Sequence, residues 1–567
     1  MRAYKFLALL GVAACLPGQQ DQSLRGLAGD LPLPALLTTP TFPRPQWFRT
    51  RFSTPSPHVE LQPARRLADY VADGKLELSL RAYIELVMLN NTDIALAKLS
   101  VETPANAITR AFSSFDPTLT GSFRNQRTTN PTSSVLDGAQ TLKTLSQPWS
   151  LNYQQTLSSG AILTAGFNAQ KYSTNSQFST YNPSLNANLG FQVAQPLLQG
   201  RGSYINRLPI LIARSTLRKS RYDLRGLIVF LLADAENAYW DVIQASENLA
   251  LQLKLLEARD VILQRTKKQV ELGAALPLDL YQPQSSYASA QVAVTVAKSQ
   301  LNRAENALRQ KIGADLDPNT SKLPLVLTET VSSLTSGPDI DRDKITEKAM
   351  RLRPELAAAT QALDMDDLYI KGYTNALRPR FSLLAGYTAQ GLGGTTFRAA
   401  NPFDPNSTDF VSVPGGIGGA LSQLFSFNFP VYWFGVNLSL PIRDHRAAAD
   451  LADAQVQKRS DVLRVRKLEQ TIRLDVLYVA DDVEAARASI QQAQMARDFA
   501  QQRFEAEQKR YEMGIQQLFF VLDAQTQLNF AENDLLTRLV SYRRSLVNLN
   551  RTTGELLEVH GVVLDDR

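Results

Sequence analysis

The C-terminal part of the chain holds the feature that most restricts its fold, a long stretch without helix-breaking residues. Residues 442–554 contain no proline and only one internal glycine, Gly514. A comparable stretch runs from Ile210 to Leu272, with Gly226 as its only glycine. Proline and glycine are the residues that most disfavour helix interiors. At about 1.5 Å per residue, 70 helical residues would span roughly 105 Å, far beyond the helices of ordinary globular domains.

A single glycine interrupts each long helical region, and this pattern predicts a helical hairpin with a tight tip. Gly273 and Gly514 are the predicted tip residues, because glycine commonly ends a helix. The helix after each tip carries residues at alternating spacings of three and four, the register of a coiled coil. In the first hairpin these positions are Tyr287, Ala290, Val294, Ala297, Leu301, Ala304 and Leu308; in the second they are Leu528, Ala531, Leu535, Arg538, Tyr542, Ser545 and Leu549. An ordinary two-helix core is the alternative that periodicity alone leaves open.

The sequence also resembles itself, which indicates an internal duplication. Gly273 and Gly514 begin segments of equal length that end at Gly313 and Gly554, an offset of 241 residues. We therefore predict two structural repeats, 75–320 and 338–558, separated by a linker at 321–337 and followed by a tail at 559–567. The predicted strands lie at about 117–195 and 379–440, and the predicted helices at about 208–313 and 443–554.

Between the predicted helices the hydrophobic period changes from 3.6 to 2. Apolar residues alternate there with Ser, Asn, Gln, Thr and Gly, and few charges occur. A soluble sheet would more often expose Lys and Glu, whereas short segments that alternate apolar and uncharged polar residues are typical of transmembrane β-strands. The first half contains four such segments, 117–126, 149–157, 161–170 and 184–195. A soluble β-sandwich is the alternative.

The N-terminus has the pattern of a secretory signal. A basic start is followed by a short apolar run, and the pattern predicts a signal peptide over residues 1–14. Cys15, the only cysteine, ends the segment Val-Ala-Ala-Cys, which resembles a bacterial lipobox and predicts an acylated first residue of the mature chain. Ordinary cleavage beside a chance cysteine is the alternative. The proline-rich residues 15–74 then form a predicted linker.

Composition excludes several classes of function. The net charge of +6 is mild for 567 residues, so we expect no nucleic-acid partner. One cysteine and three dispersed histidines leave no metal-ligand pattern, and we expect neither a metal nor another cofactor. The chain has no nucleophile elbow and no phosphate-binding loop, so an enzyme is not expected. No apolar run reaches 18 residues, and no transmembrane helix is expected.

Taken together, these features resemble the TolC-type outer-membrane efflux proteins. The most specific motif is Arg510 to Gly514 followed by Val521 to Gln525. Supporting motifs are the segment from Asn90 to Asp93, its counterpart from Arg353 to Leu356, and Gln195 to Leu198 closing a strand. The resemblance covers roughly residues 75–558. It implies a mixed α and β membrane protein: a homotrimer that builds one β-barrel in the outer membrane and one long α-helical coiled-coil barrel in the periplasm.

The resemblance also implies a function and its site. It implies an exit duct of a tripartite efflux or type I secretion system, which docks to a periplasmic adaptor and an inner-membrane pump. Asp523 matches one of two acidic gate positions and Tyr511 matches a tyrosine that links the gate. The family's second acidic position is occupied here by Phe520, and its linking basic position by Gln516. The gate of this chain would therefore have fewer charged groups than the gate of the family.

The tip of the first hairpin also carries a carboxylate. Asp279 lies six residues after Gly273, near the first tip. For Asp523, a carboxylate that only stabilises a helix start is the alternative.

The family has two strands in each half, so four segments in the first half mean either a bent strand or an additional hairpin. A secreted coiled-coil structural or adhesive lipoprotein is the alternative function.

Overall fold

The computed structural model describes residues 66–132, 139–176, 179–315, 320–330, 340–399 and 410–562. The chain forms two units, residues 1–67 and 68–567, and the description below concerns the second. The predicted signal peptide and Cys15 lie outside the described residues. Within the described ranges, no helix combines the length and the apolarity needed to cross a membrane.

The helices occur in the same order in both halves, two short ones before the strands and two longer ones after them. In the first half they are α1 (Leu80–Asn90), α2 (Thr92–Phe112), a single turn α3 (Ser203–Asn206), α4 (Leu208–Glu271) and α5 (Tyr281–Lys311). In the second half they are α6 (Arg342–Leu352), α7 (Pro354–Ala376), α8 (Ile417–Phe425), α9 (His445–Glu512), α10 (Leu518–Thr553) and the short α11 (Leu556–Val559).

The two longest helices confirm the expectation from the proline-free stretches. Helix α4 has 64 residues and α9 has 68, so each is about 100 Å long. Helix α9 begins where the side chain of Asp444 accepts the N–H of Ala447 at 2.9 Å, a standard N-terminal cap. Helix α10 ends at Gly554, which has a left-handed backbone with φ of 81°.

The predicted coiled-coil register describes α5 better than α10. In α5 the seven predicted positions are buried or half-buried, with Ala290, Ala297 and Leu308 fully buried. In α10 the predicted position Arg538 is exposed, whereas Val540 and Val547 outside the register are buried. The physical reason is that α10 packs against both α9 and α4, so it buries two faces rather than one stripe.

A small sheet lies beside the helices. It contains β1 (Val71–Ala72), β2 (Lys75–Leu78) and β8 (Leu325–Leu327), and β2 pairs with β8 in parallel. Leu76 and Leu78 of β2 are fully buried. This pairing brings the beginning of the first half next to the segment that joins the halves, and no sequence pattern predicts it.

The large sheet is antiparallel and draws strands from both halves. Its strands are β3 (Thr118–Phe123), β4 (Gln126–Pro131), β5 (Thr141–Thr156), β6 (Ile162–Thr174), β7 (Tyr181–Pro196), β9 (Arg380–Ala399), β10 (Phe410–Val413) and β11 (Pro430–Ser439). The main order is β10-β9-β7-β6-β5-β3, with β11 also on β9 and β4 also on β5. Each of the four segments predicted in the first half overlaps a strand, and the segment 117–126 spans the break between β3 and β4.

The two faces of this sheet differ in polarity, as the period-2 pattern predicts. Residues paired directly across neighbouring strands lie on the same face. One face, the apolar face, carries Trp149, Leu151, Tyr153, Phe167, Leu189, Phe191, Val193, Tyr387, Tyr432, Phe434 and Val436. The other, the polar face, carries Ser150, Asn152, Thr164, Asn168, Asn188, Gln192, Thr388 and Gln390.

The short helix α8 packs on the apolar face. Ala420 and Leu424 of α8 form a buried cluster with Ala187 of β7 and Ala389 of β9. The helix approaches β9 so closely that a Cβ at Gly391 would collide with the carbonyl oxygen of Ala420. Glycine at this position is therefore what allows a helix to lie directly against the strand.

Candidate functional site

The predicted tips of the two hairpins have the same backbone geometry. Gly273 and Gly514 have φ values of 72° and 76°, in the left-handed region that favours glycine. In the first tip the N–H of Ala274 bonds the carbonyl of Gln269 at 2.8 Å, and the second tip repeats this six-residue closure at 3.0 Å. No heavy atom lies within 4 Å of where a Cβ would stand at either glycine. Glycine is therefore required at both tips for conformation rather than for space.

Asp279 acts within the first tip. It is the third residue of the short turn Pro277–Leu280 that leads into α5, and its Oδ2 accepts the backbone N–H of Leu276, just before the turn, at 3.0 Å. This is the capping role of a carboxylate at a helix start. The residue is exposed, and its described contact is local to the tip.

Asp523 lies on the sixth residue of α10 and faces the other helix of its hairpin. Its Oδ2 is 3.0 Å from Nη2 of Arg503 on α9, and both side chains are partly exposed. The predicted acidic gate residue is thus paired with a cation of its own chain. The sequence did not single out Arg503, although its position eleven residues before Gly514 places it opposite α10 once the hairpin is formed.

Tyr511 links the two hairpins. The guanidinium of Arg265, on α4, lies 5.5 Å from the centre of the Tyr511 ring, within the range of a cation–π contact. Both residues line a cavity of about 390 Å³ between α4, α9 and α10. Nearby, Phe520 contacts Phe519 edge to face at 5.5 Å and remains 41% exposed, and Gln516 is half-buried. The structure therefore places the four predicted gate residues at one end of the second hairpin.

Arg259 lies next to the candidate site, and no sequence motif marks it. It lies on α4 and is 5% exposed, and its Nη2 donates to the carbonyl of Leu522 at 2.9 Å and to Oγ1 of Thr526 at 2.8 Å. Burial lowers the pKa of its guanidinium from the usual range. The contact joins α4 to the first turns of α10. Arg259 is one of many charged residues in a long helix and belongs to no motif. Its contact with α10 becomes visible only when the two hairpins are packed together.

Two further contacts anchor the other ends of the hairpins. Nδ2 of Asn91, between α1 and α2, donates to the carbonyl of Lys311 at 3.0 Å. Nε of Arg353, between α6 and α7, donates to the carbonyl of Thr552 at 2.7 Å. In each half, the residue that joins the two short helices therefore holds the end of the last long helix.

Comparison with protein families matches residues 162–314 and 345–555, more than half of the chain, to the outer membrane efflux protein family. TtgC of Pseudomonas putida, described as a probable efflux pump outer membrane protein, is 24% identical over 348 residues. That alignment covers 60% of this chain and 64% of TtgC. The outer membrane protein TolC of Vibrio cholerae is 22% identical over 399 residues, which cover 70% of this chain and 82% of TolC.

Solved structures give the same fold. The outer membrane channel CmeC of Campylobacter jejuni superposes with a TM-score of 0.59 at 16% identity, over 88% of this chain and 90% of CmeC. CusC superposes with a TM-score of 0.58 at 17% identity, over 91% of this chain and 99% of CusC. The fold is that of TolC-like outer-membrane channels with a helical periplasmic portion. The chain belongs to the outer membrane efflux protein family, and its location is the outer membrane.

Proposed function

We propose that this protein is the exit duct of an export system, a passive conduit from the periplasm to the exterior. The observation that carries the proposal is the exposed apolar face of the large sheet, where Tyr432 and Phe434 are 79% and 87% exposed in the single chain. Along β9 the apolar face runs from Gly391 to Phe381, and α8 covers it at Gly391 and Ala389. Ten residues rise about 34 Å, or roughly 26 Å for a strand tilted by about 40°, the height of the apolar band of outer-membrane barrels.

The duct we propose is a homotrimer. In one chain the large sheet ends at β3 and β4 on one side and at β10 and β11 on the other. Open edges leave backbone N–H and carbonyl groups unpaired, which lipid does not tolerate. Three copies that pair edge to edge would close the sheet into one barrel and remove all the edges. The polar faces would then line the lumen, and the apolar faces would contact outer-membrane lipid.

We also propose that each chain consists of two structural repeats. The anchoring contacts support this, because they involve residues at the offsets found in the sequence. Asn91 and Arg353 are 262 positions apart, and their acceptors Lys311 and Thr552 are 241 positions apart. Equivalent hydrogen bonds at these offsets, made by different donor side chains, support the proposed repeats.

The partners we propose are a periplasmic adaptor and an inner-membrane pump. The hairpin tips expose unusually large apolar side chains: Leu272 is 83%, Leu276 65%, Met513 65% and Ile515 70% exposed. Exposed apolar groups at two neighbouring tips would be covered by a protein partner rather than by water. TtgC and TolC are named as outer membrane proteins, and TtgC as part of an efflux pump, which supports this assignment.

We place the periplasmic gate at the second hairpin, in Tyr511, Gln516, Phe520 and Asp523. Three copies would bring three Asp523 carboxylates together near the axis. In each chain Arg503 lies 3.0 Å from this carboxylate and would reduce the negative charge of the ring. Phe520 would add an apolar constriction, and the contact of Tyr511 with Arg265 would hold the second hairpin against α4.

The alternative function, a secreted coiled-coil adhesive lipoprotein, predicts charged outer strand faces. The apolar face of this sheet carries aromatic and aliphatic side chains instead, so we favour the duct. Acylation of Cys15 remains part of our proposal, as a second membrane attachment for the N-terminus. Mass spectrometry of the mature N-terminal peptide would test it: a lipid-modified Cys15 is expected, and an unmodified peptide beginning at another residue would contradict it.

The proposed duct is tested by isolating the full chain from bacterial membranes. We expect it in the outer-membrane fraction, as an oligomer of about three times the 62.8 kDa mass of the unprocessed chain. A monomer in the periplasmic fraction would overturn the proposal.

A further inference from the structure

The segments β3 and β4 occupy one strand position of the large sheet. Phe123 pairs with Trp149 and Gln126 pairs with Ser146, so each strand advances three residues and the register is unbroken. Pro148 of β5 lies opposite the gap between β3 and β4. It has no N–H to donate, and its carbonyl accepts the N–H of Arg124 at 3.0 Å, which explains why the strand is interrupted there. Because β10 and β11 likewise share one side of β9, the sheet has six strand positions.

The β5–β6 hairpin supplies two of these positions and is an integral part of the sheet. Strand β6 pairs with β5 from Thr144 to Thr156 and with β7 from Ser184 to Ala194. Residues that pair across neighbouring strands form rows, and most of these rows keep the same polarity across β5, β6 and β7. One row of the apolar face is Leu151, Phe167, Leu189 and Ala389, and the adjacent row of the polar face is Ser150, Asn168, Asn188 and Gln390.

The turn between β5 and β6 is fixed to the body of the protein. The N–H of Gly202 donates to the carbonyl of Ser159 at 3.1 Å. Gly160 has φ of 91°, and a Cβ there would collide with the carbonyl of Gly200 and stand 2.7 Å from Nδ2 of Asn206. The hairpin therefore packs tightly where the sheet meets the helices, unlike a loop that projects from the surface.

We propose that the trimeric barrel of this protein has 18 strands, six from each chain, with the β5–β6 hairpin inside the wall. This inference rests on the proposed function, because it takes the trimer as given. Two strands in each half, as the resemblance implies, would give 12 strands. Barrel diameter grows roughly linearly with strand number, so an 18-stranded barrel would be about one and a half times as wide as a 12-stranded one. Barrels of this size leave an aqueous channel.

The chemistry of the lining follows from the same rows. Across the membrane-spanning part of β5, β6, β7 and β9, the polar face carries mostly hydroxyls, amides and glycines, with one apolar row of Ile162, Ala194 and Leu384. No charged side chain lies between Ser382 and Gln390 or between Ser150 and Gln154. A wide lumen without charged side chains would not discriminate between cations and anions, and it would not restrict the size of the solute. Selection would then fall to the helical end of the duct, and the barrel would admit bulky cargo of either charge.

Cysteine labelling on both faces of β6 tests the wall position of the hairpin. Thr164→Cys and Ala165→Cys place a thiol on the polar and the apolar face of β6, away from the cluster under α8. Gln192→Cys and Phe191→Cys do the same on β7, which belongs to the wall in either barrel. The purified trimer of each variant is reconstituted in lipid vesicles and treated with a charged, membrane-impermeant maleimide or with a lipid-soluble one. The unmodified chain gives the background of Cys15.

We expect the impermeant reagent to label both polar-face cysteines at least several times faster than both apolar-face cysteines, with the reverse order for the lipid-soluble reagent. If the two labelling rates differ as expected on β7 but Ala165→Cys reacts with the impermeant reagent as fast as Thr164→Cys does, the hairpin lies outside the wall and the proposal fails. If the labelling rates of the polar-face and apolar-face cysteines do not differ on β7 either, the proposed barrel itself is wrong. An image reconstruction of the unmodified trimer in lipid gives an answer independent of any variant: 18 strands are expected, and 12 would overturn the inference.

Discussion

The carboxylate of Asp523 on α10 lies 3.0 Å from the guanidinium of Arg503 on α9, across the hairpin whose tip is Gly514. This pair changes what a ring of three Asp523 residues can do. Three bare carboxylates would attract cations strongly, whereas three Asp–Arg pairs carry little net charge. The pair also connects the two helices of the hairpin that would have to move if the gate opens.

Removing the cation of this pair is expected to make the channel more cation-selective. In Arg503→Gln the three Asp523 carboxylates lose their partners, so the ratio of potassium to chloride permeability should rise severalfold and millimolar Mg²⁺ should block more strongly. Asp523→Asn should lower both quantities. Reversal potentials in a KCl gradient measure the effect. Arg510→Gln, which removes an exposed partner of Glu507 on the same helix, is the control and should change little.

If Arg503→Gln and Asp523→Asn both leave permeability ratio and block unchanged, Asp523 does not face the conduction path. The alternative role at the start of α10 would then be the correct one.

Asp366 on α7 makes the stability of the helical region depend on pH. Burial raises the pKa of its carboxyl to about 6, and the neighbouring Asp461 on α9 adds to the shift. Because the folded pKa lies above the unfolded one, the folded state loses stability as pH rises from about 4 through about 6, by at most about 3 kcal/mol. Asp366→Asn should remove this loss and raise the melting temperature at pH 7.5.

The measurement is the apparent melting temperature of the detergent-solubilised protein between pH 4 and pH 8. Asp223→Asn on α4 is the control, because Asp223 is half-exposed and pairs with Lys219 of the same helix at 2.8 Å. A pH profile of Asp366→Asn parallel to that of the parent would show that Asp366 ionises normally in the folded state.

Gly391→Ala is expected to displace α8 from the apolar face. The added methyl group would meet the carbonyl of Ala420, and overpacking of this kind costs about 1–3 kcal/mol. Gly435→Ala on β11 is the control, because no heavy atom lies within 4 Å of a Cβ there. The temperature at which the oligomer dissociates in detergent should fall for Gly391→Ala and stay unchanged for Gly435→Ala. Equal values for the two would contradict the close packing of α8.

The tip glycine can be tested through its backbone conformation alone. Gly514 has φ of 76° with open space around it, so Gly514→Ala should cost about 1–2 kcal/mol through the left-handed conformation. Gly514→Asn should cost less, because asparagine adopts this conformation more readily. Hydrogen exchange of the amides near the tip reports the local change. Faster exchange in Gly514→Ala than in Gly514→Asn is expected, and the opposite order would point to a steric requirement.

Much of the fold could be predicted because its two periods are regular over long distances. The absence of proline in α9 and the alternation of Phe434, Val436 and Leu438 depend only on neighbouring residues. The two-sided burial of α10 could not be predicted in this way. It depends on α4, which lies more than 200 residues earlier in the chain, and a single heptad register describes only one of the two faces.

The site was predictable only where a motif marks it. The positions of Tyr511, Phe520 and Asp523 follow from the tip glycine, and the structure places them at one end of the hairpin. Arg503 and Arg259 carry no such mark, since each is one of many arginines in a long helix. Their roles arise from pairing with Asp523 and with the carbonyl of Leu522, contacts that exist only once the helices have packed.

We propose that three copies of this chain form a conducting duct. The most direct measurement is the conductance of the purified protein in a planar lipid bilayer, combined with its oligomer mass in the same detergent. We expect a trimer that inserts and produces discrete, uniform conductance steps. A stable monomer without channel activity would contradict the account.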